Sequence, residues 1–452
     1  MAGRKSLAGD PTARALRRQG PMTLPAACEV AVIGGGPAGS HAAALLARAG
    51  IEVVVLERAR HPRPMVGESL IPHFWKYTDL TGASSPIERA GFLAKAGGIT
   101  LWNGEIRRIA FADFGFKRPA LHVERDAFDE LLLRHAQACG AKVFEEVAVT
   151  GVEPDPQTVK LTYLDKRNSV QGKLCCRYLI DASGASTLLA RRLGVRCLAK
   201  APHQFLAFWG YFQNSRFIGG DGRSYPGDLI AKVQPVTFVL SYEDGWIWHI
   251  PLRRLTSVGL VVYRHLAKTL NEAERREYFL RTCQTQPYLR ELLAPAQFIE
   301  GSLSGRPDFS YAVSTLATEN CYLIGDAGGF VDPIFSHGVL NAFYTASLAA
   351  VAIGESLRDP LRRGRYAQLF AQRSRQFYSF CRALALGDTA TNGVDFELVK
   401  NLMRSVPRRE LELMLAACCL THRSRHFAAL IEAAGLGKDF GLPRTDRIQL
   451  RL

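Results

Sequence analysis

The chain has no CxxC pair among its ten cysteines. The vicinal pairs Cys175-Cys176 and Cys418-Cys419 have the spacing neither of zinc ligands nor of a secreted disulfide framework, so reduced thiols in a cytoplasm are expected. Long apolar runs are missing as well. The longest, Gly338 to Gly354, is broken by Asn341, Tyr344 and Ser347 and is short for a membrane span, which predicts a buried core helix and no membrane partner. The first 26 residues carry Arg4, Lys5, Arg14, Arg17 and Arg18 but no apolar stretch, which argues for a flexible basic tail and against a signal peptide. Acidic residues are scarce, 42 against 57 Lys and Arg, for a net charge of +15. That balance favours anionic partners. The basic residues are dispersed and form no nucleic-acid module, so nucleic acid is not expected among them.

What is present is an ordinary globular composition, 47% hydrophobic over 452 residues, enough for two or three structural units. A short apolar strand, Val30 to Ile33, runs into Gly34-Gly35-Gly36-Pro37-Ala38-Gly39, an Ala/Leu-rich helix and a second strand ending at Glu57. A lone GxGxxG is weak evidence, but between strand and helix it has the context its mechanism needs. Gly34 permits the tight turn, Gly36 lets backbone approach a pyrophosphate, and Gly39 lets helix and strand pack. Phosphate then rests on a helix N-terminus, and the Glu57 carboxylate is placed to accept ribose hydroxyls. Further strands are expected at Lys142 to Glu146, Val159 to Tyr163, Cys175 to Asp181 and Asn320 to Gly325. Phe128 to Cys139, Glu272 to Leu293 and the segment from Gly338 read as helices. From Gln204 to Tyr263 strand-like alternation rich in aromatic and β-branched residues predicts an antiparallel sheet on the substrate side. Beyond Leu357 the chain becomes helical and arginine-rich, either a solvated face or a docking surface for an acidic partner.

Asp181-Ala182-Ser183-Gly184 and Gly325-Asp326-Ala327 each follow an apolar strand and resemble the second and third fingerprints of FAD-binding hydroxylase-type flavoproteins. Arg125 matches an arginine close to the cofactor in that class. Three further motifs resemble the flavin-dependent halogenases: Val66-Gly67-Glu68-Ser69-Leu70-Ile71-Pro72; Trp246-Ile247-Trp248-His249-Ile250-Pro251, which fits WxWxIP; and Phe330 to Gly338, which fits FxxPxxSxG. Lys95 falls where that family carries its essential lysine.

The resemblance implies an α/β fold: a Rossmann-like FAD-binding domain of the aromatic-hydroxylase, glutathione-reductase-like type over residues 27–357. Within it lies an inserted antiparallel sheet at about 200–305, and a helical C-terminal region follows at 358–452. It implies cofactor contacts at Gly34, Gly36, Ala38, Gly39, Glu57, Arg58, Gly67, Glu68, Ser69, Arg125, Asp181, Asp326 and Pro333. Lys95, Trp246, Trp248 and Ser336 are implied in catalysis. The amides of His337 and Gly338 are candidates for chloride or bromide, with the His337 imidazole either a turn residue or, when protonated, an aid to halide binding.

Only one GxGxxG exists, so reduced flavin has to come from a separate reductase. An electrophilic halogen would reach the substrate through the lysine, either as hypohalous acid held by an ammonium or as a haloamine. Phe335 stands where tryptophan halogenases carry an acidic residue. That favours a phenolic or pyrrolic substrate, free or tethered to a carrier protein. The rival readings are a geranylgeranyl-reductase-like or hydroxylase-type flavin enzyme, against which the complete WxWxIP argues, and a non-catalytic flavoprotein module.

Overall fold

The structure is a computed structural model, and it describes residues 23–198, 204–307, 310–386, 405–418 and 446–452. Most of the basic tail expected at 1–26 lies outside those residues, as does Cys419.

Ala27–Ile33 is a β-strand with four fully buried positions at its end, and Val53–Glu57 is buried throughout. Runs with no polar face belong at the centre of a parallel sheet covered on both sides. Accordingly Ala27–Ile33 is central, flanked in parallel by Val53–Glu57 on one side and Val170–Asp181 on the other. Lys142–Glu145 and Cys321–Leu323 extend the parallel core outward. The antiparallel strands Val159–Asp165 and Val147–Pro154 complete the seven-stranded sheet.

Helix Pro37–Arg48 starts with proline at its first turn, where a missing N–H costs nothing. Against it packs helix Gly338–Arg358, with His41 Nε2 and Ser347 Oγ 3.0 Å apart. That helix is long and apolar enough to cross a membrane. Here its apolar face is spent on the core, since Phe343, Ala346, Ala349 and Ile353 are fully buried.

The second sheet differs from the expectation in three ways. It has nine strands, and two of them, Gly97–Trp102 and Glu105–Ala110, come from well before residue 200. Gly97–Trp102 joins Val236–Tyr242 in parallel, so the sheet is mixed rather than antiparallel. The third difference is the edge strand Asp446–Arg447, which pairs with Glu105–Ala110. The C-terminal region is thus helical at Arg363–Leu386 and Arg408–Cys418 but ends extended. Strand pairing over such sequence separations leaves no local signal for a reading by periodicity to find.

One face of this sheet presents Trp246, Trp248, Ile250 and Val239 toward the nucleotide-binding half, and the other packs Ile247, Phe238 and Leu260 under two helices. Those helices, Glu272–Thr285 and Pro287–Leu293, replace the single helix expected from Glu272 to Leu293. Pro287 holds the preceding Gln286 in an extended conformation and ends the first helix there. In the arginine-rich segment Arg358 pairs with Glu355, Arg362 with Asp359 and Arg363 with Glu319. The eight cysteines whose side chains are described are all unpaired.

Candidate active site

A cleft of about 760 Å³ lies between the parallel sheet and the tryptophan-bearing face of the second sheet. At one end stands the glycine turn. Gly34 has φ +101°, and a Cβ there would sit 2.5 Å from the Ala182 carbonyl oxygen; one on Gly39 would sit 1.9 Å from the Gly34 carbonyl oxygen. The turn therefore excludes side chains for steric reasons and brings bare backbone to the cleft. Glu57, at the end of its strand, accepts from Gly35 N at 2.6 Å and Ala59 N at 2.8 Å. Each oxygen keeps a second acceptor position.

Arg125 holds Asp129 through two bonds of 2.8 and 3.0 Å and donates to the Val66 and Gly67 carbonyls. This fixes the Gly67-Glu68-Ser69 segment against the cleft. Glu68 is buried, accepts from Tyr211 Oη at 2.8 Å and from Gly67 N at 2.9 Å, and burial raises its pKa. Asp326 also lines the cleft, and burial shifts it upward while Arg306 and Arg125 oppose the shift.

The cleft wall includes Gly34, Gly36, Ala38, Glu57, Arg58, Gly67, Glu68, Ser69, Arg125, Asp326 and Pro333. Two expected cofactor residues are not on it. Gly39 packs beneath the turn. Asp181 is fully buried behind its loop, with its oxygens taken by Ser183 N at 2.9 Å and Leu189 N at 2.8 Å. The neighbours that Asp181 orders, Ala182 to Ser186, face the cleft instead. In this structure Asp181 therefore supports the loop that borders the cleft. A glycine cradle, a carboxylate at the ribose position and an aromatic floor fit FAD.

Trp246, Trp248 and Ile250 line the far side of the same cleft. The two indole rings lie 5.9 Å apart, and Trp248 Nε1 donates to Ser257 Oγ at 3.1 Å. Ile247 and His249 turn the other way, and His249 Nε2 meets Ser215 Oγ at 3.0 Å. The expected strand alternation thus builds a wall on one face.

A second, smaller chamber of about 60 Å³ shares Thr237, Val239, Ile334 and Ser336 with the cleft. Lys95 lines this chamber, only 3% exposed. Its Nζ donates to Ser69 Oγ at 2.7 Å and to the Leu70 carbonyl at 3.2 Å, and sits over the Phe111 ring. Burial pulls its pKa down to about 7. Most of the remaining lining is apolar, Ile71, Ile99, Ile109, Phe335, Leu413 and Met414 among it, with Thr100, Thr237, Ser336 and His337 adding polar atoms.

Ser336 has φ +58°, the left-handed region, and its Oγ is 2.9 Å from Ser69 Oγ. It precedes helix Gly338–Arg358, whose first amide to bond back is that of Asn341, to the His337 carbonyl. The amides of 338–340 therefore stand outside the helical ladder, where the helix dipole favours an anion. Gly338 and Val339 border the cleft, and His337 borders the small chamber. Burial drives the His337 pKa down to about 3. His337 is the N-cap residue of helix Gly338–Arg358, with no side-chain hydrogen bond to the helix.

Three residues that border or back the site carried no motif. His122, Thr237 and Tyr211 lie on ordinary-looking strands, and their polar atoms matter only because distant segments fold onto them.

A family profile described as "FAD binding domain" matches residues 27–209. The chain is similar to a tryptophan 2-halogenase of Chondromyces crocatus, 36% identical over 339 residues, covering 74% of this chain and 62% of that protein. A flavin-dependent halogenase of Armillaria mellea, armH1, is 34% identical over 355 residues, and the chain spans 66% of its length. Another from the same fungus, armH3, is 35% identical over 356 residues, covering 74% of this chain and 69% of that one. Among solved structures, the myxobacterial chondrochloren halogenase superposes with a TM-score of 0.73 at 29% identity, covering 89% of this chain and 99% of that one. Because the relatives include a tryptophan halogenase, similarity alone does not assign the non-tryptophan branch.

Proposed function

The chain belongs to the flavin-dependent halogenases, and from that premise we propose that it halogenates an electron-rich phenolic or pyrrolic ring with chloride or bromide. The observation that carries this reading is Lys95, a buried amine in an apolar chamber that abuts the FAD-shaped cleft across Ser336 and Thr237. FAD, delivered reduced by a separate reductase, supplies together with oxygen the two-electron oxidation of halide to hypohalous acid.

The residues of the chain do the rest. The glycine turn and Glu57 orient the dinucleotide, and Arg125 holds the Gly67-Glu68-Ser69 segment on which the lysine chamber depends. Amides at the start of helix Gly338–Arg358 hold the halide. The Trp246 and Trp248 rings keep an aromatic substrate away from the cleft while leaving a path for a three-atom oxidant. At Lys95 two N–H groups are committed to Ser69 and Leu70, leaving the third to hold the oxygen of hypohalous acid. The ring then attacks halogen at a fixed place, with orientation supplied by the apolar walls.

Among the described residues lining the chamber, none but Lys95 carries a formal charge at neutral pH. A zwitterionic free amino acid would bury its carboxylate and ammonium there without matching partners, which supports a neutral ring. Such a ring can be free or offered on a carrier protein.

The test is to supply the protein with a flavin reductase, FAD, oxygen and chloride or bromide, together with phenols, pyrroles and indoles, free and carrier-bound. Products bearing the halogen isotope pattern on phenol or pyrrole are expected. Turnover of free tryptophan alone would overturn the substrate class, and hydroxylated or reduced products without halogen would overturn the activity.

A further inference from the structure

Lys95 is one end of a buried polar chain. Ser69 Oγ lies 2.9 Å from Thr237 Oγ1, and Thr237 Oγ1 lies 2.9 Å from His122 Nε2. Backbone pairing brings the members together: His122 is bridged to Ser69 and pairs with Leu93 of the strand that ends in Lys95. His122 is fully buried, and Ser69 and Thr237 are each 8% exposed.

We propose that His122 is a positioning residue for Lys95, acting through the hydroxyls of Thr237 and Ser69. Each hydroxyl has one proton to give, so the direction of every bond in the chain is set at its end. Burial and the nearby Lys95 charge lower the His122 pKa well below the usual histidine value, and a neutral ring has one nitrogen a donor and the other an acceptor. Nδ1 is buried without a hydrogen-bond partner, so the ring reaches the chain through Nε2 alone. In the proposed arrangement the proton sits on Nδ1 and Nε2 accepts from Thr237. Thr237 then accepts from Ser69, and Ser69 turns only lone pairs toward Lys95 and Ser336.

A Ser69 oxygen that can only accept serves the ammonium form of Lys95. Without His122 the Thr237 proton turns toward Ser69, and the Ser69 proton becomes free to face a neutral amine. The other titratable groups facing this assembly are His249, across the sheet from His122, and His337, on the chamber wall.

The inference rests on the reading of Lys95 above, and its test reads the lysine rather than the product. In the full chain with FAD bound, Lys95 is trace-labelled with acetic anhydride across about pH 5 to 11 and quantified by peptide mass spectrometry. His122→Leu is expected to lower the titration midpoint by about one pH unit. His122→Gln, whose amide can accept from Thr237, moves it back toward the wild-type value. Thr237→Val, which cuts the chain without touching the histidine, reproduces the His122→Leu shift and decides the matter if His122→Leu does not fold. An unmoved midpoint in folded Thr237→Val or His122→Leu protein overturns the inference, even if halogenation falls. A Lys95→Met protein of normal activity would instead overturn the role given to the lysine.

Discussion

Ser69 Oγ and Ser336 Oγ lie 2.9 Å apart although 267 residues separate them. This one contact ties the cage around Lys95 to the turn that opens helix Gly338–Arg358, so the amine and the amides proposed to hold halide share a rigid reference. Removing either hydroxyl uncouples them. Ser336→Ala is expected to lower the halogenation rate about ten- to a hundredfold while leaving FAD affinity within about threefold, measured by steady-state rates and flavin fluorescence.

Lys95 costs stability. Its pKa in the fold, about 7, lies below the ordinary lysine value, so the native state binds fewer protons than the unfolded chain between those values. The cost is absent above the unfolded pKa, grows as pH falls toward about 7, and is constant below it. Lys95→Met is therefore expected to stabilise the protein at neutral pH by roughly 1 to 4 kcal/mol while abolishing halogenation. Denaturant unfolding at neutral and alkaline pH checks this, because the gain should shrink as pH rises toward 10.

The charge state of the same lysine sets a pH profile. If the ammonium holds the oxidant, halogenation falls as pH rises through about 7. A rate that instead climbs through that value would assign the work to the neutral amine, and a flat profile would remove Lys95 titration from the rate-limiting step. Hypohalous acid produced but not transferred can be scored separately by a thiol trap.

Gly259 makes room for the tryptophan wall. A Cβ at that position would lie 2.1 Å from the Trp248 ring. Gly259→Ala must push the indole toward the cleft or bend the sheet, and is expected to destabilise the fold by about 1 to 3 kcal/mol. FAD affinity should drop in step, which isothermal titration will show.

Glu57 joins the cofactor end of the cleft to the turn that builds it. Glu57→Ala removes acceptors from Gly35 N and Ala59 N along with any ribose contact, so FAD binding is expected to weaken at least about tenfold, with about 1 to 3 kcal/mol lost from the apoprotein. A variant with unchanged flavin affinity would show that the carboxylate serves the turn alone.

The glycine turn was legible because its signal is local: strand, three spaced glycines and helix lie within one short segment, and sterics leave few alternatives. The tryptophan wall was legible for the same reason, since a period of two fixes which residues share a face. The bonds of Asp181 to its own loop have no signature in sequence, because a carboxylate at the end of a buried strand looks alike whether it faces a ligand or caps a loop. His122 and Thr237 gave no sign at all. Their pairing spans 115 residues, and neither sits in a recognisable pattern. The mixed sheet escaped in the same way, since strand Gly97–Trp102 joins a partner, Val236–Tyr242, far along the chain. Lys95 was placed by resemblance, and only its burial explains why an ammonium there differs from one on the surface.

Met414 sits on the wall of the lysine chamber, where a thioether is the softest target in reach of an electrophilic halogen. Any oxidant that misses its substrate has that sulfur to spend itself on, giving a sulfoxide that is larger and polar. The working life of the catalyst is then set by its number of unproductive cycles rather than by elapsed time, and a gain of one oxygen on this methionine should track substrate starvation.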